Sequence, residues 1–128
     1  MYTSTFTFAK REFDEEFHAL DELIAQCARS TPGYLGDETW ENASSGLISN
    51  VYYWETMEAL QTLMNHPAHA AAKQRQQRWL TGYQVVIAQV LGSYGDGGIL
   101  HPLAGRRGVG FEPRDAKAWQ GDRPTPER

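Results

Sequence analysis

Cysteine is almost absent: Cys27 is the single one in 128 residues. One thiol closes no internal disulfide and builds no thiolate-rich metal site, which suits a reducing cytoplasm. Long apolar runs are missing too. The longest, Val85 to Leu91, is interrupted by Gln89 and falls far short of the roughly 20 residues that cross a bilayer. The start, Met1 to Phe6, has neither the basic segment nor the apolar run of a secretory signal. Positive charge is in deficit, with 12 Lys+Arg against 16 Asp+Glu and a formal charge of −4. Nucleic-acid binding normally shows clustered Lys and Arg. These absences point to a cytoplasmic domain with no nucleic acid and no membrane, acting on a small molecule or a protein partner.

What is present is a globular composition, 41% hydrophobic and 12% aromatic. The length fits one domain with one core and leaves no room for a separate cofactor domain. The composition changes near Tyr94–Gly95. Residues 95–128 hold 7 of the 12 glycines and 4 of the 6 prolines. We therefore divide the chain into a packed domain, 1–94, and a Gly/Pro-rich C-terminal extension, 95–128. The extension also carries Ile99, Leu100, Leu103, Val109, Phe111 and Trp119. It either wraps over its own core or a partner subunit and covers a pocket mouth, or projects without a role.

Tyr2 to Phe8 alternates strictly, with Tyr2, Ser4, Phe6 and Phe8 on one face and three threonines on the other. A period of two with aromatic and β-branched residues predicts a strand. Asp14 is placed to cap a helix whose apolar face is Phe17, Leu20, Ile24, Cys27 and Ala28, and Thr31-Pro32-Gly33 stops it. Strands are expected over Tyr34–Glu41 and Leu47–Trp54, joined by a hairpin loop. Thr56 caps a short helix that Pro67 interrupts, and helix resumes to about Trp79. A last strand is expected over Tyr83–Tyr94. Strand, helix, strand, strand, helix, strand is an α+β, ferredoxin-like βαββαβ order with a four-stranded antiparallel sheet. The strands carry apolar groups on both faces, so the sheet face without helices needs cover. A second copy supplies it most simply, and a homodimer is expected.

Several short runs stand out: Pro32-Gly33-Tyr34-Leu35-Gly36 after the first helix, Tyr53-Trp54-Glu55 closing a strand, His66-Pro67-Ala68-His69, then Trp79 and Tyr83. Together, in this order and spacing, they resemble the antibiotic biosynthesis monooxygenase family of dimeric α/β barrels. The likeness covers roughly residues 2 to 94. It implies a dimeric barrel and a family of cofactor-free oxygenases of aromatic polyketides and quinols, haem-degrading enzymes, small-molecule isomerases and members without known activity. Haem-degrading relatives carry a tryptophan nine residues and a haem-ligating histidine nineteen residues after the strand-ending tryptophan. Here those positions are Leu63 and Lys73, and a lysine ammonium does not ligate haem iron. His69 lies one helical turn earlier, so haem binding or degradation ranks third among the readings.

Cofactor-free oxygenation asks the protein to bind a flat ring in a dry pocket, remove a proton and stabilise the anion. His69 is the expected catalytic base, with Lys73 four residues on to depress its pKa and attract an anion. The plain reading of His69 is a partly exposed surface residue. His66 is either a second pocket group or the cap of the restarted helix. Trp54 is either a pocket wall offering an indole N–H or a core tryptophan. Asn50 and Tyr52 share its strand face and complete the expected substrate-binding set with Trp79 and Tyr83, whose plain reading is packing. Cys27 falls on an apolar helix face and is expected to be inert. His66 and His69 have no third partner, so no metal site is expected. The reading is a cofactor-independent monooxygenase of small aromatic substrates, phenolic, quinol or polyketide-like, with no cofactor. The alternative is a non-catalytic small-molecule-binding or accessory dimer of the same fold. An isomerase would use the same base and pocket.

Overall fold

The computed structural model describes residues 1–10 and 15–105. Asp14, Val109, Phe111 and Trp119, to which the sequence reading gave roles, lie outside the described residues. Chain order is β1 (Tyr2–Lys10), α1 (Glu15–Ser30), β2 (Tyr34–Asn42), β3 (Leu47–Trp54), α2 (Met57–Met64), α3 (Pro67–Trp79) and β4 (Leu80–Gln89). The strands form one antiparallel sheet in the order β2-β3-β1-β4. This is the α+β ferredoxin-like arrangement, its second helix broken into two pieces. Among the described residues no helix is long and apolar enough to cross a membrane.

Register sorts the side chains. Tyr2, Ser4, Phe6 and Phe8 stand opposite Trp54, Tyr52, Asn50 and Ile48 of β3, and Ser4, Phe6 and Phe8 opposite Ile87, Val85 and Tyr83 of β4. Because alternate residues of a strand point to opposite faces, these groups share the helix side. The core lies there: Trp54 and Ala28 are fully buried, packed with Ala59, Leu60 and Leu63, and Ile24, Cys27, Tyr34 and Tyr52 surround them. The other face carries Thr3, Thr5, Thr7, Val51, Tyr53 and Val86.

Local chemistry accounts for the element ends. Glu15 and Glu16 in the first turn of α1 and Arg29 in its last suit the helix dipole. Ser30 and Thr31 hydroxyls then donate to the Gln26 and Cys27 carbonyls, at 2.8 and 2.7 Å. Gly33 follows with φ +93°, and a Cβ there would lie 2.9 Å from Ala59 Cβ. Gly33→Ala is expected to cost about 1–2 kcal/mol from backbone strain alone, read as a lower thermal unfolding midpoint. Thr56 Oγ1 accepts the Ala59 N–H at 3.1 Å and starts α2.

The last strand differs from the sequence expectation. It begins three residues earlier, directly after α3, and ends at Gln89 rather than Tyr94. The ladder stops where its partner does: Gln89 pairs with Tyr2, and Val90 N–H donates to the carbonyl of Met1. Apolar pattern extends past that point, but no neighbouring strand remains to bond.

Candidate functional site

A cavity of about 440 Å³ lies between the sheet and the helices. Its floor is β1, β3 and β4; α1 and α3 form the far wall, with Leu60, Leu63 and Met64 of α2 beside them. Aromatic rings dominate. Phe6 stacks on Phe8 with centroids 5.1 Å apart, Tyr83 is 5.7 Å from Phe6, and Phe17 meets Trp79 edge-on at 5.4 Å. The β4 side is open: Tyr83, Val85 and Ile87 line the cavity yet remain 42–49% exposed.

The cavity brings together six of the eight residues singled out from sequence: Asn50, Tyr52, His69, Lys73, Trp79 and Tyr83. Trp54 and His66 are not among the lining residues. Trp54 is fully buried in the core, and its indole N–H already donates to Ser4 Oγ at 3.1 Å. His66 sits at the break between α2 and α3, where Nδ1 accepts the Ala68 N–H at 3.0 Å. Its Nε2 is 3.5 Å from Cys27 Sγ, so neither the imidazole nor the half-buried thiol faces the cavity's polar groups.

His69 is half-buried and has no hydrogen-bond partner among the described residues. Desolvation lowers its pKa below the ordinary 6.5, and the Lys73 ammonium lowers it further. Both effects favour the neutral imidazole. Lys73→Met is expected to move the His69 pKa upward, while desolvation keeps it under 6.5; a titration followed by NMR reads both. The same shift ties stability to pH. A lowered folded-state pKa contributes stability that is complete above 6.5 and disappears as pH falls through the folded value.

Asn50 stands across from Thr39, whose hydroxyl donates to Asn50 Oδ1 at 2.9 Å. That bond leaves the Nδ2 hydrogens as donors for a ligand oxygen. Burial raises the Tyr52 pKa to about 12, aided by the Asp37 and Asp21 carboxylates. Its hydroxyl stays protonated and can donate. The Trp54 and Tyr34 rings back it at 6.1 and 6.4 Å, and they meet each other at 5.9 Å.

Asp21 was missed from sequence. It lines the cavity from α1, and desolvation first, then Glu22, raise its pKa against an opposing pull from His18. A signal existed: Phe17, Leu20, Asp21 and Ile24 follow the i, i+3, i+4, i+7 spacing, so Asp21 interrupts an apolar stripe. The arrangement is an aromatic slot with a histidine base on one side and amide and phenol donors on the floor.

A relative among known proteins decides the family. The uncharacterized Bacillus subtilis protein YqjZ is 32% identical over 90 residues, 70% of this chain and 78% of YqjZ. The chain belongs to the YqjZ family. No protein-family model matches it. Its fold is that of the antibiotic biosynthesis monooxygenase domain. Rv0793 from Mycobacterium tuberculosis superimposes with TM-score 0.62 at 17% identity, covering 73% of this chain and 98% of Rv0793. SnoaB from Streptomyces nogalater, a cofactor-independent oxygenase, superimposes with TM-score 0.59 at 13% identity, covering 72% and 94%. At such identities the superpositions establish the shared fold of this YqjZ relative.

Proposed function

We propose that this YqjZ-family chain is a cofactor-independent monooxygenase of small aromatic substrates, phenolic, quinol or polyketide-like. The observation that carries the reading is the half-buried imidazole of His69, without a hydrogen-bond partner among the described residues, at an aromatic-lined cavity. SnoaB, a cofactor-independent oxygenase on the same fold, supports it.

His69 takes the phenolic proton, and the Asn50 amide and Tyr52 hydroxyl donate to the phenolate oxygen. The electron-rich ring then reduces dioxygen, and a ring C–H becomes C=O. One oxygen atom enters the product and the other leaves as water: a phenol and O₂ give a quinone and H₂O. The substrate supplies every electron. Lys73 beside His69 favours the anionic state of the ligand.

We also propose a homodimer packed through the helix-free sheet face, where Val86 is 51% and Trp40 64% exposed. Sedimentation velocity tests it, and a concentration-independent monomer would refute it. For the activity, the purified protein is mixed with a panel of naphthols and anthrones in an oxygen electrode. One O₂ consumed per quinone formed is expected. Ligands that bind without oxygen uptake would replace this reading with that of a binding or accessory protein.

A further inference from the structure

The side of the sheet away from the cavity holds a cluster that the proposed chemistry does not use. The chain leaves β4 and returns at His101-Pro102-Leu103 to meet β2 and β3. Tyr53 Oη donates to Glu38 Oε1 at 2.6 Å. His101 Nε2 lies 3.3 Å from Tyr53 Oη and 3.5 Å from Glu38 Oε1. The His101 ring stands edge-on to the Tyr53 ring at 5.2 Å. Its Nδ1 accepts the Leu103 N–H at 3.0 Å, so in the neutral ring the proton is on Nε2, toward Tyr53 and Glu38. Leu103 is only 4% exposed, whereas the preceding Leu100 is fully exposed. The turn is thus an anchor of the chain after β4.

The anchor sits behind a β-bulge. Tyr34 pairs with Trp54 and Gly36 with Tyr53, so Leu35 is one residue too many. That extra residue resets the alternation and puts Tyr34 and Asp37 on the cavity side, where the Tyr34 hydroxyl donates to Asp37. Asp37 stands opposite Tyr52. On the outer side, Gly36 has φ +148° and a Cβ there would be 2.6 Å from Pro102 Cβ. A glycine at the bulge leaves the space that the proline occupies.

We infer that the His101-Pro102-Leu103 turn is a clamp on the outer face, seated on Gly36, Glu38 and Tyr53, that holds the β2 bulge and so positions Tyr52 in the cavity floor from behind. His101 is a positioning residue. It touches no cavity group and acts through Glu38 and Tyr53 on the strand pair that carries Asp37 and Tyr52. The C-terminal extension would thereby have a task in the packed domain, on the side opposite the cavity.

The test is amide hydrogen exchange on the full chain, which needs no substrate and stands whether or not the oxygenase reading does. His101→Ala is expected to lower protection about tenfold at residues 103–104 and, decisively, at residues 36–39. Two conservative variants separate the clamp from its own turn. In His101→Gln the side-chain amide nitrogen replaces Nε2, and bulge protection should return to within about twofold of the parent. In His101→Asn the short carbonyl replaces Nδ1, so the 103–104 turn is restored while the bulge stays loose. Unchanged exchange at 36–39 in His101→Ala overturns the clamp. Recovery of the bulge by Asn but not Gln overturns it as well, since the local turn would then be the cause.

Discussion

Trp54→Ala is expected to destabilise the domain by about 3–5 kcal/mol, the range for emptying a buried tryptophan site. Native stabilities run about 5–15 kcal/mol, so the variant should unfold at far lower urea. The size follows from position. Trp54 closes β3, is fully buried and packs in one cluster with Ala28, Ala59, Leu60 and Leu63, so it joins the sheet to α1 and α2 at once. Its polar atom adds a separable part. Trp54→Phe keeps a ring but strands the Ser4 hydroxyl, which now accepts the indole N–H at 3.1 Å. Leaving one partner unsatisfied costs about 1–3 kcal/mol, whereas removing both can be nearly neutral. Ser4→Ala combined with Trp54→Phe should therefore be no less stable than Trp54→Phe alone. A Trp54→Ala variant within 1 kcal/mol of the parent on urea unfolding, by the same cavity argument, would show that this tryptophan does not hold the domain together.

The sequence made the alternation of β1 readable because only Tyr2, Ser4, Phe6 and Phe8 meet the helices while threonines fill the other face. The same periodicity located α1, and the Thr56 cap and Pro67 located the break in the second helix. The end of β4 was not readable. Val90 and Leu91 continue the apolar pattern, but a strand ends when its partner ends, and that limit belongs to β1, at the far end of the domain's sequence. The Leu35 bulge was equally hidden. Gly36 fell inside an expected strand, yet its freedom is used beside Pro102, a contact between residues distant in sequence.

The site was legible in its residue types and less so in its orientations. Asn50 and Tyr52 alternate with Val51 and Tyr53, so one face could be assigned once the helices were placed on it. Trp54 shares that face, but it lies at the strand end where α2 closes over the sheet, and its N–H meets Ser4 instead of a ligand. His66 and His69 differ for a related reason. Pro67 turns the chain between them, so the first imidazole caps α3 and the second reaches the cavity. Asp21 escaped notice because an acid near a helix start already has an explanation in the helix dipole. Only its place within the apolar stripe separates it from Glu15, Glu16 and Glu22.

His69→Ala is expected to lower kcat for quinone formation by about 10²–10⁴, the usual worth of a positioned base. Ligand affinity should change much less, because aromatic walls supply most of the buried surface and the histidine contributes one edge. That split separates a base from a packing residue, whose loss would weaken binding in proportion. The pH profile gives the second signature. The proposed reaction needs His69 neutral, and both desolvation and Lys73 push its pKa below 6.5. Activity should therefore be flat at neutral pH and fall on the acid side, at a pH below that of an ordinary histidine. Lys73→Met removes one of the two causes, so the acid limb should move to higher pH, matching the shift of the same histidine in its NMR titration. A limb that stays fixed while the imidazole titration moves would assign the proton transfer to another group. Asp21 would then be the group to replace, since its carboxyl lines the same cavity with a raised pKa. Acting as a carboxylate base, Asp21 would give an acid limb set by its own burial and by Glu22 and His18, so Lys73→Met leaves that limb in place.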